Sequence, residues 1–231
     1  MKFYKKSLGQ NFLTDKNIIN KIINIVPLNK KNIVEIGPGK GALTEEILKK
    51  KPNSLILIEK DYILAEQLKN NYKENKKVIV YNQDILKFDL EKKIKKNSII
   101  FGNLPYNISS QILVKTLKFK IWPPHYKALI FMFQKELAEK IIGKFKTPNY
   151  GRLAILSNYR LNIFHKFIVS PNSFFPRPKI FSMVLGLEPK KKMFNKIKDM
   201  NKLEEVTRIL FANKRKKINK NIEKILKNKN S

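Results

Sequence analysis

The sequence predicts an α/β protein built around a mostly parallel β-sheet, and two features of the chain indicate this class. Short, nearly continuous apolar runs alternate with amphipathic stretches, which is the pattern of successive βαβ units. A glycine-rich turn follows the first apolar run and precedes a helical pattern, at a place where parallel sheets often bind a ligand. We therefore expect a sheet that helices cover on both faces.

Each predicted strand is an apolar run of the kind that a parallel sheet buries on both faces. The first five runs are Asn32–Ile36, Ser54–Glu59, Val78–Asn82, Ser98–Asn103 and residues 127–133. Two later runs, residues 162–169 and 181–189, are joined by a proline-rich loop, and we predict that they form an antiparallel pair closing the sheet.

The composition changes near the C-terminal end of the chain. The 231 residues are 42% hydrophobic, enough to bury the core of a full domain. Residues 189–231, in contrast, contain 15 Lys and Arg against 4 Asp and Glu, and Leu203, Val206, Ile209 and Leu210 have helical spacing. We predict a sheet domain over residues 1–188 and a small basic helical domain over residues 189–231.

The net charge of +31, from 49 Lys and Arg against 18 Asp and Glu, indicates a polyanionic partner. Nucleic acid is the first candidate, because cations that neutralise phosphates release condensed counterions. The chain is also rich in Lys, Asn and Ile and has five arginines, a composition that an AT-rich genome would impose without selection for binding. Both explanations of the charge stay open.

Several classes of site are excluded or disfavoured. The chain has no cysteine, which excludes disulfides, thiolate zinc sites and cysteine nucleophiles. His125 and His165 have no acidic neighbour at ligand spacing, so we expect no metal site. The basic N-terminus lacks the apolar core of a secretory signal, and no apolar run reaches ~18 residues. We expect a cytoplasmic protein that does not enter membranes, with a monomer as the default state.

The glycine turn and two acidic residues predict a site for an adenosine-bearing cofactor. Gly37, Gly39 and Gly41 stand at alternate positions between a strand and a helix, where residues without side chains let a ligand approach the backbone. Glu59 ends the second strand, where a carboxylate can accept hydrogen bonds from ribose hydroxyls. Asp84 follows the third strand and could accept from the amino group of an adenine.

The segment "FGNLPYNISS", residues 101–110, lies at the same carboxyl edge of the predicted sheet. Asn103 offers a side-chain carbonyl and Leu104 a backbone carbonyl that Pro105 keeps extended, so both could accept the N–H bonds of an adenine amine. Tyr106 offers a ring on which a flipped-out base could stack, worth ~1–3 kcal/mol. A capped strand end with an Asn turn is the alternative without function.

Seven motifs in this order resemble the ribosomal RNA adenine dimethyltransferases, the kasugamycin-sensitivity methyltransferases of bacteria. They are "LGQNFLTD", "VEIGPGKGALTEEIL", "GNLPYNISSQIL", "MFQKELAEKI", "YGRLAIL", "SFFPRPKIFS" and "LFANKRKKINKNI". The resemblance covers nearly the whole chain and implies a Rossmann-like class I methyltransferase sheet that uses S-adenosylmethionine. It also implies N6,N6-dimethylation of two adjacent adenosines near the 3′ end of 16S small-subunit ribosomal RNA, with the immature 30S subunit as partner.

The resemblance also implies the residues of the site. For the cofactor these are Asn11, Leu13, Gly37, Gly39, Glu59, Asp84 and Asn103. For the target base they are Asn103, Leu104, Pro105, Tyr106 and, as a second stacking aromatic, Phe174, with the neighbouring Phe175 as the alternative. The chain ends 13 residues after Ile218, where the family usually continues through further helices, so we expect ribosome docking to depend on simple charge.

Three other functions stay open. An erythromycin-resistance-type methyltransferase acting on 23S ribosomal RNA is a near relative, although "GQNFL" and "NLPY" favour the small-subunit enzymes. An adenine-specific DNA methyltransferase is disfavoured because the chain lacks a sizeable target-recognition domain. A non-catalytic ribosome assembly factor or transcription factor on the same fold is the alternative from a different class.

Overall fold

A seven-stranded sheet and a separate two-stranded sheet organise the protein in a computed structural model, which describes residues 11–191, 197 and 199–212. The strands in chain order are β1 (Phe12–Leu13), β2 (Asn32–Ile36), β3 (Ser54–Glu59), β4 (Val78–Asn82), β5 (Ser98–Asn103), β6 (Tyr126–Gln134), β7 (Leu161–Val169), β8 (Phe174–Phe175) and β9 (Ser182–Pro189). Strands β1 and β8 form the small sheet, and the other seven form the large one.

Eight helices are described, and most connect consecutive strands. They are α1 (Lys16–Ile23), α2 (Ala42–Lys49), α3 (Tyr62–Asn71), α4 (Leu90–Lys93), α5 (Ser109–Leu117), α6 (Lys135–Ile141), α7 (Arg152–Arg160) and α8 (Met200–Leu210). Aspartates fix the start of four of them, because their carboxylates accept the unpaired N–H groups of the first turn. These caps are Asp15, Asp61, Asp89 and Asp199.

The large sheet has the strand order β4-β3-β2-β5-β6-β9-β7. Strands β2 to β6 are parallel, whereas β9 is antiparallel to both β6 and β7. This confirms the sequence prediction of a mostly parallel sheet with an antiparallel final pair. From β2 the chain runs outward to β3 and β4 and then returns to β5 on the other side of β2. The carboxyl ends of β2 and β5 therefore flank the crevice where open α/β sheets bind ligands.

Both faces of the sheet are covered, which explains the near-continuous apolar runs. In β2, Val34 and Ile36 belong to one buried cluster, while Ile33, which points to the opposite face, belongs to the other. Alternate residues of a strand point to opposite faces, so a strand buried on both sides is apolar at nearly every position.

Helix α8 packs on the sheet domain through a face that differs from the predicted one. Met200 is buried in the larger core cluster and Leu203 packs against it, but Val206 is 37% exposed. Glu204 forms ion pairs with Lys118, the residue that follows α5, and with Arg152 of α7, which further attach the helix. Residues 192–196, 198 and 213–231 of the predicted helical domain lie outside the described residues.

Candidate functional site

A cavity of about 440 Å³ opens at the carboxyl ends of β2, β3, β4 and β5. It brings together ten of the eleven site residues that the resemblance implies. Those that line it are Asn11, Leu13, Gly37, Gly39, Glu59, Asp84, Asn103, Leu104, Pro105 and Tyr106. The cofactor residues and the target-base residues therefore surround one space, although they come from five separate segments of the chain.

The turn between β2 and α2 requires its glycines. Gly37, Gly39 and Gly41 have φ angles of 66°, 58° and 89°, in the left-handed region that other residues rarely adopt. A Cβ atom on Gly39 would also lie 2.9 Å from the ring of Phe12. The backbone of the turn can therefore follow this path and approach a ligand only without side chains.

Glu59 is attached to the glycine turn by its carboxylate. Its Oε2 accepts the N–H of Gly39 at 3.0 Å, and its Oε1 accepts the N–H of Asp61 at 2.9 Å. Burial raises the pKa of Glu59, while these two backbone donors act in the opposite direction. The carboxylate is thus held rigidly at the cavity wall, in a position where its remaining lone pairs can accept hydroxyl groups.

Asp84 is oriented by a lysine that sequence reasoning did not identify. Its Oδ1 accepts the N–H of Leu86 at 2.9 Å, and its Oδ2 lies 2.8 Å from Nζ of Lys60. The hydrogen bond with Lys60 is the largest of the causes that lower the pKa of Asp84. Lys60 also lines the cavity, so the ion pair joins the ends of β3 and β4 beside it.

The side chain of Asn103 is fixed by the backbone of the N-terminal segment. Its Nδ2 donates to the carbonyl oxygen of Asn11 at 3.0 Å, across 92 residues of sequence. An amide side chain has one donating and one accepting end. Because the donating end binds Asn11, the Oδ1 atom is the end that can accept a hydrogen bond from a substrate amine.

Tyr106 is also held in place, by a residue of β9. Its hydroxyl lies 2.7 Å from Oγ of the buried Ser182, and burial raises its pKa. The same segment contains the buried Leu104, whose side chain packs against the position of Gly102. A ring anchored at its hydroxyl presents a fixed face, which suits it for stacking.

Phe174 is the one residue implied by the resemblance that does not line the cavity. It is only 4% exposed, belongs to a hydrophobic core cluster and is paired with Leu13 across the small sheet. Phe175 is 62% exposed and stands opposite Phe12, which lines the cavity. Pairing alone does not separate the two residues, because Leu13, opposite Phe174, also lines the cavity. The difference lies in exposure, since only the ring of Phe175 has a large exposed surface. The geometry thus favours the alternative, Phe175, over the choice made from the sequence.

Glu35 of β2 is an ionisable residue of the cavity that sequence reasoning missed. It is 1% exposed, and its Oε2 accepts a hydrogen bond from Oγ1 of Thr44 at 2.6 Å. Burial is the main reason why its pKa is raised to about 7. The one sequence signal for Glu35 is its position inside the apolar run "NIVEI", because charged residues are rare in buried strands and a charged residue there indicates a special role.

Across residues 11–191, 197 and 199–212, His, Asp and Glu side chains form no group of three or more that could hold a metal ion. In the same residues, none of the helices has the length and apolar character needed to cross a membrane.

Comparison with protein families gives a match along the whole chain. The model described as "Ribosomal RNA adenine dimethylase" matches residues 1–231. A protein of Pelagibacter ubique (strain HTCC1062) named "Ribosomal RNA small subunit methyltransferase A" is 45% identical over 227 residues, which cover 97% of this chain and 84% of that protein.

Two solved structures are similar to the fold described above. A dimethyladenosine transferase from Plasmodium falciparum superposes with a TM-score of 0.75 at 31% identity, covering 89% of this chain and 72% of that one. The 23S rRNA methyltransferase ErmE superposes with a TM-score of 0.71 at 23% identity, covering 93% and 84%. At that identity the second likeness concerns the fold alone.

Proposed function

The chain belongs to the ribosomal RNA adenine dimethylase family, and from this premise we propose that it methylates two adjacent adenosines at N6 near the 3′ end of 16S ribosomal RNA. S-adenosylmethionine is the methyl donor that this family implies. The protein is thus an enzyme of small-subunit biogenesis, and we place it in the cytoplasm as a monomer acting on the immature 30S subunit.

One observation carries this proposal: the Asn103–Tyr106 segment and the adenosine-binding residues face a single cavity. The turn of Gly37 and Gly39 and the carboxylates of Glu59 and Asp84 fit a nucleoside with an amino acid chain, because they offer open backbone and fixed acceptors. Bound there, S-adenosylmethionine supplies a methyl group on a positively charged sulfur.

The protein's own residues make the target amine nucleophilic and position it. The lone pair of an adenine amine is delocalised into the ring, so acceptors that bind its N–H bonds help to turn the lone pair outward. Asn103 supplies Oδ1, whose direction is set by the bond from Nδ2 to Asn11, and Leu104 supplies its backbone carbonyl. Positioning of this kind can lower a barrier by several kcal/mol.

No general base with a shifted pKa is needed for the transfer. S-adenosylmethionine, held by the glycine turn and Glu59, would supply the methyl group, and the amine held by Asn103 and the Leu104 carbonyl would release its proton to water after accepting that group. Glu35, whose pKa is raised to about 7, accepts a hydrogen bond from Thr44, and we assign it a structural role in the cavity wall and no role as a base. The reaction depends on geometry and on exclusion of water.

The stacking partners of the target base are Tyr106 and, on the present geometry, Phe175. Tyr106 lines the cavity with its hydroxyl anchored, and Phe175 is exposed and paired with Phe12, which lines the same cavity. Phe174, to which the resemblance assigns this role, is buried in a hydrophobic core cluster and is paired with Leu13 in the small sheet.

Transfer of radiolabelled methyl groups from S-adenosylmethionine to under-methylated small subunits tests the proposal. The wild type should label the RNA, and Asn103→Ala should bind the subunits but transfer at least ~100-fold more slowly, as expected when a group that stabilises the transition state is removed. The matched control is Asn53→Ala, because Asn53 also donates one amide hydrogen bond, to Asn32 at 2.9 Å, at the amino edge of the sheet. Near-normal transfer by Asn103→Ala would refute the assignment.

A further inference from the structure

The two-stranded sheet and the residues next to it form a staple, which we define as residues 11–15 and 173–175. The carbonyl of Ser173 accepts the N–H groups of Thr14 and Asp15, at 2.9 and 3.3 Å, and the hydroxyl of Thr14 at 3.3 Å. The hydroxyl of Ser173 donates to Oδ2 of Asp15 at 3.1 Å. Ser173 is only 3% exposed, and it connects segments that lie 158 residues apart in the sequence.

The same staple reaches the catalytic amide. Asn11, at its beginning, accepts the hydrogen bond from Nδ2 of Asn103, while Phe12 packs against Gly39 of the glycine turn. The staple thus contacts both the amide that receives the target amine and the turn that holds the cofactor. Its other strand carries Phe175, the proposed stacking residue.

A two-residue strand pair has little stability of its own, so its position depends on the core packing of Leu13 and Phe174 and on the hydrogen bonds of Ser173. If residues 11–13 shifted, the amide of Asn103 would lose its partner and could rotate, leaving either end toward the substrate. Displacements of about 1 Å at a reacting centre can reduce rates ~100-fold. The bonds made by Ser173 are therefore placed to control the orientation of Asn103 from a distance.

We propose that Ser173 is a positioning residue for methyl transfer, acting through Thr14 and Asp15 on the staple and through Asn11 on Asn103. This inference rests on the proposed function. It explains why a hydroxyl residue is buried at the end of the loop that precedes Phe174 and Phe175, where its hydroxyl and its carbonyl bind the N-terminal segment while its N–H binds Ser170.

The test is a double variant, Ser173→Ala with Thr14→Val, which removes both side-chain bonds and keeps the backbone pairing. Ser98→Ala is the matched control, because Ser98 is also buried and donates one hydrogen bond, to Lys95 at 2.6 Å. It lies at the opposite end of β5, the strand that ends at Asn103. Two single variants at this position test the role of the hydroxyl. Ser173→Thr, which retains the hydroxyl, should be more active than Ser173→Ala, which lacks it.

Two measurements distinguish positioning from general stability. At saturating RNA and S-adenosylmethionine, kcat of the double variant should fall roughly ten-fold while Ser98→Ala stays close to the wild type. The side-chain amide resonance of Asn103, followed by NMR in the protein without RNA, should lose the protection and shift of a hydrogen-bonded NH₂ group.

A double variant with the kcat of the control and an unchanged Asn103 resonance would overturn the inference. Failure of the proposed function gives a different result, since the wild type itself would then transfer no methyl groups. The NMR measurement reports the hydrogen bond of the Asn103 side chain in either case, because it requires no turnover.

Discussion

Replacing Glu59 by Gln tests how the cavity holds the adenosine. In the structure both carboxylate oxygens already accept backbone N–H groups, from Gly39 and from Asp61. Glutamine keeps one oxygen and replaces the other with an NH₂ group, which is a donor. One of the two backbone N–H groups must then face a donor, so the side chain loses its hydrogen bond either to the glycine turn or to Asp61.

The size of the effect follows from two opposing contributions. A charge-assisted hydrogen bond contributes about 1.5–3 kcal/mol, so losing one corresponds to roughly 10- to 150-fold in affinity. The amide also removes the cost of burying a charge, which is the cost that raises the pKa of Glu59. We therefore expect the lower part of this range, about a 10- to 30-fold increase in the Kd for S-adenosylmethionine.

Calorimetric titration with S-adenosylmethionine measures the Kd directly, and thermal unfolding of each variant reports whether the fold is intact. Glu66→Gln is the matched control, since Glu66 of α3 is a partly exposed glutamate paired with Lys69 and lies outside the cavity lining. If Glu59→Gln bound S-adenosylmethionine as tightly as the control, Glu59 would not be a cofactor residue.

Four further outcomes follow. Burial raises the pKa of Glu35 to about 7, so between pH 4.5 and 7 the folded protein keeps a proton that the unfolded chain has released. The free energy of unfolding should therefore fall by up to about 3 kcal/mol as the pH rises from 4.5 to above 7. Urea unfolding of Glu35→Gln should not show this fall. Phe175→Ala should raise the KM for RNA about 5- to 100-fold, and an unaffected KM, like that expected for exposed Phe145→Ala, would exclude stacking. Tyr106→Phe, which loses only the contact with Ser182, should retain far more activity than Tyr106→Ala; equal losses would show that the hydroxyl, and not the ring, matters. Filter binding at increasing salt should show a steep fall in RNA affinity. A nearly flat plot of log affinity against log salt concentration would indicate that the +31 charge reflects composition and does not drive RNA binding.

The sheet could be predicted from the sequence because a strand buried on both faces appears as a continuous apolar run of residues. Strands β2 to β5 have the predicted bounds, and β6 extends one residue further at each end. The motif residues on these strands were likewise predictable, since the carboxyl ends of parallel strands meet at one edge. Asn103 and Glu59 share a cavity for that reason alone.

The choice between Phe174 and Phe175 could not be made from the sequence. The two side chains are identical, and only the pairing of β8 with β1, across more than 150 residues, decides which one is buried. The same holds for the bonds from Asn103 to Asn11 and from Tyr106 to Ser182, which join segments with no local pattern in common. For α8, helical spacing predicted the helix, but packing placed Val206 on the solvent side.

Mass spectrometry of nucleosides from treated ribosomal subunits tests the central claim most directly. Under-methylated small and large subunits are incubated together with the enzyme and S-adenosylmethionine, the two RNAs are separated, and the 3′ fragment of the 16S RNA is sequenced by its masses. The proposed function predicts two adjacent N6,N6-dimethyladenosines in that fragment and none in the large-subunit RNA. Unmodified 16S RNA, or dimethyladenosine in the 23S RNA instead, would contradict it.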